Sequence, residues 1–386
     1  MKSIVSGPEL GLTTAVRRVV KCLGANCCKA MSKGREAWRH RSAPTTKILC
    51  YWERLMPRVL ISTEVLLHVE GPHTRLLREA GFEVVFPQNR QFARGICGLE
   101  ESLRELSVAD AMLAGSEYVT AEMLAALPNL RVIARTGVGY DRIDIDAATR
   151  HNVVVTITPT ANHAAVAEHA LALLFAISKK LLAGDRATRA GQWPRDLTEP
   201  IRGKTIGILG LGRTGRSMAL RSAALGMSVI AHDPYPDRTF AAANGVELVD
   251  LDTLATRSDV LSIHCPANES TRGIINAAVF ARMKPTAMLI NTARGSIVDE
   301  AALVDALRAG QIKAAGLDVF EQEPPAKDNP LFELDNVVLT PHSAGGETLA
   351  LHDMAMESAE CVVKLHRAEW PEGAVVNNQL KDGWVW

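Results

Sequence analysis

The run Thr205-Ile206-Gly207-Ile208-Leu209-Gly210-Leu211-Gly212-Arg213-Thr214-Gly215 joins a short apolar, β-branched stretch to Gly-x-Gly-x-x-Gly, and a helix-like segment follows to Leu225. A strand that feeds a glycine turn and then a helix opens a parallel βαβ unit. Gly210 permits the tight turn, Gly212 lets the backbone approach a pyrophosphate, and Gly215 allows close helix–strand packing. The helix N-terminus then offers free N–H groups to an anion. The next strand pattern, Ser228-Val229-Ile230-Ala231-His232, ends at Asp233, 18 residues after Gly215, close to where such a turn expects an acid. A carboxylate there accepts hydrogen bonds from ribose hydroxyls and repels a 2′-phosphate. The cofactor read from this stretch is therefore NAD rather than NADP.

On both sides of this unit, apolar runs alternate with helical stretches. Before it come Val59–Ser62, Glu83–Phe86, Ala111–Ala114, Val132–Arg135 and Val153–Ile157, with a further segment at Thr74–Ala80; after it come Val260–His264, Met288–Asn291, Ala315–Val319 and Val337–Thr340. That alternation predicts two α/β units built on parallel sheets. Ala164–Lys180 is rich in Ala, Leu, Phe and Ile and reads as a buried connecting or interface helix, because Glu168 and His169 interrupt it well short of a membrane span. Glu347–His366 reads as a last helix, placed to return to the first unit.

Length and composition agree with a two-domain globular enzyme-sized chain of 386 residues, 47% hydrophobic and 22% charged. Lys+Arg and Asp+Glu both total 43, yet residues 1–55 hold eleven bases against three acids, which leaves 32 bases against 40 acids for the body. A mildly acidic body argues against nucleic acid as a partner. Residues 1–55 also hold Cys22, Cys27, Cys28 and Cys50, but no second ligand pair at zinc spacing, so no metal site is expected. This segment reads as a basic extension, disordered or a start-site artefact ahead of Met56, with a transit-like leader as the competing reading. The sparse body cysteines, Cys97, Cys265 and Cys361, fit a reducing cytoplasmic compartment.

Three strands of the second unit end in polar groups of different chemistry. Met288–Asn291 leads to Thr292-Ala293-Arg294-Gly295, Ala315–Val319 to Glu321 and Glu323, and Val337–Thr340 to Pro341-His342. Strand carboxyl ends of an open parallel sheet form the ligand crevice, so these groups are expected to converge beside the cofactor. An arginine offers a fork to a carboxylate and a keto oxygen, a histidine moves a proton near neutral pH, and a carboxylate beside it stabilises its protonated form. Taken singly, each has a bland reading as a loop cation, a surface acid or a satisfied histidine; three together beside a dinucleotide turn favour function. His163 and His169 lie six apart, not at the spacing of a helical zinc pair, and read as structural, as do His151, His232 and His264.

Leu209–Gly215, Met283-Lys284-Pro285 through Gly295, Gly316-Leu317-Asp318-Val319-Phe320-Glu321-Gln322-Glu323-Pro324 and Leu339-Thr340-Pro341-His342 together resemble the D-isomer-specific 2-hydroxyacid dehydrogenases, most of all their phosphoglycerate dehydrogenase branch. The resemblance covers about residues 58–378. It implies an α/β fold of two doubly wound parallel-sheet domains, with a Rossmann NAD-binding domain (161–342) inserted into a flavodoxin-like substrate domain (57–160 and 343–380). It implies Arg294 as substrate anchor, His342 as acid/base and Glu323 as its partner. For the cofactor it implies Gly210, Gly212 and Gly215, backbone contacts from Arg213 and Thr214, Asp233 at the ribose, Cys265 and Pro266 at the adenosine, Thr292 and Ala293 in the crevice, and Asp318 at the nicotinamide carboxamide. For the substrate it implies the amides of Gly137-Val138-Gly139, with Asn162 near the interdomain crevice. It also implies a homodimer.

Two points qualify the substrate. The phosphoglycerate branch places a phosphate-contacting arginine near the strand end that here reads Leu113-Ala114-Gly115-Ser116, where none stands, and Arg142 occupies a place where Asn is common. Glyoxylate, hydroxypyruvate or another short 2-keto acid therefore stays open beside 3-phosphohydroxypyruvate. The chain stops soon after Val375-Val376-Asn377, so feedback through a further regulatory domain is not expected. A non-catalytic NAD sensor is the rival from another class, while Glu323 speaks against a formate dehydrogenase.

Overall fold

The computed structural model describes residues 56–386; the basic extension and its four cysteines lie outside the described residues. Two all-parallel sheets account for the strands. The first has five strands, β1 (Arg58–Ile61), β2 (Glu83–Val85), β3 (Ala111–Ala114), β4 (Val132–Arg135) and β5 (Val154–Thr156), in the order β2-β1-β3-β4-β5. The second has seven, β6 (Thr205–Leu209), β7 (Ser228–His232), β8 (Glu247–Leu248), β9 (Val260–Ile263), β10 (Met288–Asn291), β11 (Ala314–Leu317) and β12 (Val337–Leu339), in the order β12-β11-β10-β9-β6-β7-β8. The first order is the flavodoxin-like one, and the second is that of a doubly wound dinucleotide fold with one strand added at its edge.

The strands read as unbroken apolar runs because helices cover both faces of a parallel sheet. β3, β9, β10 and β11 are buried along their whole length. β8 is the strand that the sequence does not announce: two residues are too few to show any period. Elsewhere strand ends shift by one or two residues, and Thr74–Ala80 falls in a helix, Pro72–Glu79, opened by a proline in its first turn.

Two helices tie the sheets together. His163–Ser178 buries Ala167, Ala170, Leu173 and Leu174 in the core of the seven-stranded sheet, beside Ile206, Ile208 and Ile290. Thr348–His366 returns to the five-stranded sheet, where Ala355, Ala359, Val362 and Val363 pack with Val59, Ile61, Leu77 and Val132. The tail after it is stitched to β5 by buried Asn377, whose Oδ1 accepts the Val155 N–H at 2.9 Å while its Nδ2 donates to the Val153 carbonyl at 2.9 Å. Among the described residues no helix is long and apolar enough to cross a membrane. What this topology does for function is to turn the carboxyl ends of both sheets toward one crevice.

Candidate active site

The glycine turn after β6 is shaped by close approach. Gly210 has φ +93°, and a Cβ there would lie 2.5 Å from the Cys265 nitrogen; one on Gly215 would lie 2.0 Å from the Gly210 carbonyl oxygen. Gly212 faces open space instead. It starts the helix Arg213–Ala224 without a side-chain cap, so the first-turn N–H groups, those of Arg213 and Thr214 included, remain for an anion. Asp233 is fixed at the end of β7, its Oδ2 accepting the Leu211 N–H at 2.7 Å and its Oδ1 the Tyr235 N–H at 2.8 Å. It thus braces the turn while keeping lone pairs for a ribose. Cys265 packs against the turn just before Pro266, and burial pushes its thiol up to about 12, which makes it inert lining. Past β10, the Thr292 hydroxyl is buried with no hydrogen-bond partner among the described residues. A cradle with open amides, a ribose-height carboxylate and an orphaned hydroxyl fits a dinucleotide.

Arg294, Glu323 and His342 come from the loops after β10, β11 and β12. The Asn291 side chain builds the first loop, its Oδ1 accepting the Ala293 N–H at 3.0 Å and its Nδ2 donating to the Arg294 carbonyl at 2.9 Å. The Arg294 guanidinium then lies over Gly139, where a Cβ would come within 1.6 Å of Nη2. His342 sits at φ +51°, a strained conformation for a residue other than glycine, held by its N–H donating to the Asp318 carbonyl at 2.8 Å. Its Nδ1–H donates to Glu323 Oε2 at 2.8 Å, so the other ring nitrogen is left for proton transfer. Burial opposes the Glu323 charge, but the hydrogen bond from His342, the Phe320 N–H and the Arg142 guanidinium outweigh it and hold the carboxyl below its ordinary range.

The substrate-side loop supplies the remaining groups. Of the three amides expected to hold the substrate, that of Gly137 is already engaged, its N–H donating to the Arg135 carbonyl at 2.9 Å, whereas those of Val138 and Gly139 make no hydrogen bond among the described residues; the Gly137 carbonyl accepts the Thr158 N–H at 3.0 Å and so fixes the loop. Asn162 is buried at the start of the helix His163–Ser178, with its Nδ2 against Gly345.

Asp318 has a different place from the one expected. It is fully buried, its Oδ1 accepting from Thr340 Oγ1 at 2.6 Å and the Ser343 N–H at 2.9 Å, and its Oδ2 from the Ala344 N–H at 2.9 Å. In this structure it organises the loop that carries His342. His169 joins the same network at 2.9 Å from Thr340 Oγ1, in keeping with a structural histidine.

Sequence reasoning missed Asp141, which accepts from both Nε and Nη2 of Arg294 at 2.9 Å. It also missed Arg135, whose signal was available: it is a charged residue closing the apolar strand Val132-Ile133-Ala134, the same strand-end logic that singled out Arg294. Arg142 was visible in the sequence, and the structure places its Nη2 at 3.3 Å from Glu323 Oε2.

Two open parallel sheets, with a glycine-turn cradle beside a His–Glu pair and an arginine, define a doubly wound α/β protein of the dinucleotide-binding class. Comparison makes the class specific. The family model for the D-isomer specific 2-hydroxyacid dehydrogenase NAD binding domain matches residues 171–344. A glyoxylate reductase of Thermofilum pendens is 41% identical over 292 residues, covering 73% of this chain and 86% of that protein. A D-3-phosphoglycerate dehydrogenase of Archaeoglobus fulgidus is 45% identical over 269 residues, 69% of this chain and 51% of that protein. Among solved structures, the TT0316 protein of Thermus thermophilus aligns with a TM-score of 0.73 at 31% identity, covering 83% of this chain and 99% of that one. The chain belongs to the D-isomer-specific 2-hydroxyacid dehydrogenase family. It spans about half the length of the D-3-phosphoglycerate dehydrogenases it matches.

Proposed function

We propose that the protein is an NAD-dependent oxidoreductase acting on the CH–OH group of D-2-hydroxy acids, with 3-phosphoglycerate and 3-phosphohydroxypyruvate as its substrate pair, as in serine biosynthesis. The observation that carries the reading is the His342–Glu323 hydrogen bond of 2.8 Å in the crevice that also holds Arg294. NAD(H), when bound, supplies the hydride acceptor or donor. Arg294 and the amides of Val138 and Gly139 hold the substrate carboxylate, and Arg294 also polarises the 2-keto oxygen. In reduction the Nε2–H of His342 protonates that oxygen as it gains charge; in oxidation Nε2 removes the hydroxyl proton. Glu323 fixes the ring and its tautomer through the bond to Nδ1. Positioned proton transfer contributes about 10²- to 10⁴-fold, and an oriented cation several kcal/mol more.

In this reading Gly210, Gly212, Arg213, Thr214 and Gly215 hold the pyrophosphate, Asp233 the ribose, Cys265 and Pro266 the adenosine side, and Thr292 and Ala293 the nicotinamide half. Asp318 shapes the nicotinamide end through the loop it holds. Residues 57–160 with 343–380 act as the substrate domain and 161–342 as the nucleotide domain. The enzyme works as a homodimer in the cytoplasm.

Reduction of glyoxylate or another short 2-keto acid is the second reading, supported by the 41% identity to the T. pendens glyoxylate reductase and by the lack of a cation in Leu113-Ala114-Gly115-Ser116 at the end of β3. The test is NADH consumption by purified protein with 3-phosphohydroxypyruvate, hydroxypyruvate, glyoxylate and pyruvate. The phosphorylated acid is expected to be the best substrate. Turnover of the others alone establishes the second reading, and NADH binding without any turnover replaces both with a nucleotide sensor.

A further inference from the structure

Arg142, in the loop after β4, reaches across to the carboxylate that holds His342. Its Nη2 donates to Glu323 Oε2 at 3.3 Å, the same oxygen that accepts the His342 Nδ1–H at 2.8 Å. The rest of the guanidinium is pinned on its own side. Nη1 donates to the Ser116 carbonyl at 2.6 Å, and the guanidinium carbon lies 4.9 Å from the centre of the Tyr118 ring. Gly95 leaves room for this arrangement: a Cβ there would lie 2.3 Å from the Ser116 carbonyl oxygen and 3.3 Å from Arg142 Nη1. The fork is therefore aimed from the five-stranded sheet before it meets a loop of the seven-stranded one.

The His342–Glu323 pair needs such a cation for part of its cycle. Burial opposes the Glu323 charge. While the ring is protonated, the imidazolium supports that charge. Once Nε2 has given its proton to the substrate oxygen, the carboxylate keeps the neutral Nδ1–H, the Phe320 N–H on Oε1 at 3.2 Å, and Arg142 on Oε2. A guanidinium stays charged throughout. Among the described residues, Arg142 is the one arginine or lysine within ion-pair distance of Glu323. Other charged groups around the pair have partners elsewhere. Arg294 is bonded to Asp141, and Arg135 directs Nη1 to the Ala114 and Thr136 carbonyls. Asp318, beneath His342, accepts from Thr340, Ser343 and Ala344, with His169 Nε2 at 3.5 Å, while Glu321 on the Glu323 loop is exposed.

Resting on the oxidoreductase reading above, we propose that Arg142 is a positioning residue for the proton-transfer pair, acting through Glu323 rather than on the substrate: it holds Oε2 on the imidazole and lowers the pH at which the pair gives up its proton. A fixed cation favours the carboxylate and disfavours the imidazolium, and two groups this close titrate as a pair.

The test follows kcat/KM for reduction by NADH between about pH 6 and 10, on 3-phosphohydroxypyruvate and on hydroxypyruvate, which has no titrating phosphate. The proteins are the full chain and its Arg142→Gln, Arg142→Lys, Glu323→Gln and Arg142→Gln/Glu323→Gln variants. Reduction consumes the protonated pair, so the rate falls as pH rises. In Arg142→Gln the pH of half-maximal rate is expected to rise by about one unit and kcat to fall about tenfold, alike for both substrates. Arg142→Lys keeps the charge without the fork; its half-maximal pH is expected to stay near that of wild type while kcat falls about threefold. In the Glu323→Gln background the second substitution is expected to change kcat/KM by less than about twofold. A half-maximal pH that does not rise in Arg142→Gln, or a wild-type rate that is flat across the range, overturns the proposal. So does a loss in the Glu323→Gln background as large as in the single variant, because Arg142 would then touch the substrate directly. Wild type that binds NADH but reduces no keto acid removes the oxidoreductase reading itself, an outcome distinct from turnover with an unmoved profile.

Discussion

Arg294 and Asp141, 153 residues apart, are joined by two hydrogen bonds of 2.9 Å, Nε and Nη2 both donating to Asp141 Oδ1. Burial opposes the Asp141 charge, but Arg294 outweighs it and holds the carboxyl below its ordinary range. The guanidinium proposed to anchor the substrate is therefore aimed by a loop of the other sheet. Gly139 leaves the room: a methyl there would stand 1.6 Å from Nη2.

Gly139→Ala is accordingly expected to displace Arg294 and lower kcat/KM by about 100-fold, since a misplacement of about 1 Å has effects of that size. The melting temperature should change little, because the clash is with the end of a flexible side chain. Steady-state kinetics beside a thermal melt check this; unchanged turnover in the Gly139→Ala variant would refute the placement of Arg294.

Glu117 sets a pH dependence of stability. Burial raises its carboxyl from 4.5 to about 7, while the Gly115 N–H donates to its Oε2 and its Oε1 has no partner among the described residues. A raised folded-state value means that the contribution is complete below about 4.5 and is lost as pH rises through about 7, a change of about 3 kcal/mol. Glu117→Gln should remove this loss and raise stability at pH 8 relative to wild type, with little gain at pH 4.5. Urea denaturation at the two pH values measures it, and parallel curves for the two proteins would count against it.

Much of this was legible in sequence for a physical reason. Parallel strands buried on both faces are continuous apolar runs, so eleven of the twelve strands among the described residues were marked in the sequence, and of these twelve only the two-residue β8 was silent. Arg294, Glu323 and His342 were found because each stands just past such a run. Asp141 was not, since it pairs across the crevice with a partner 153 residues away and nothing local marks a contact of that range. Asp318 was expected at a cofactor; its burial depends on how the loop after β12 folds back over β11, which the sequence pattern does not specify.

Asp233 gives a separate test of cofactor choice. Replacing it with Asn keeps an acceptor for the Leu211 N–H but removes the charge that disfavours a 2′-phosphate. The ratio of KM for NADPH to KM for NADH is expected to fall by about tenfold, within the usual range for a charged hydrogen bond. An unchanged ratio would mean that another group makes the choice.

The most direct measurement is the rate of NADH oxidation with 3-phosphohydroxypyruvate by wild type and His342→Gln, with NADH binding followed by fluorescence in both. The variant is predicted to lose about 100-fold or more in kcat while retaining NADH binding. Undiminished turnover in the variant would contradict the proton-transfer role of His342, because the proton would then have another source than the histidine held by Glu323.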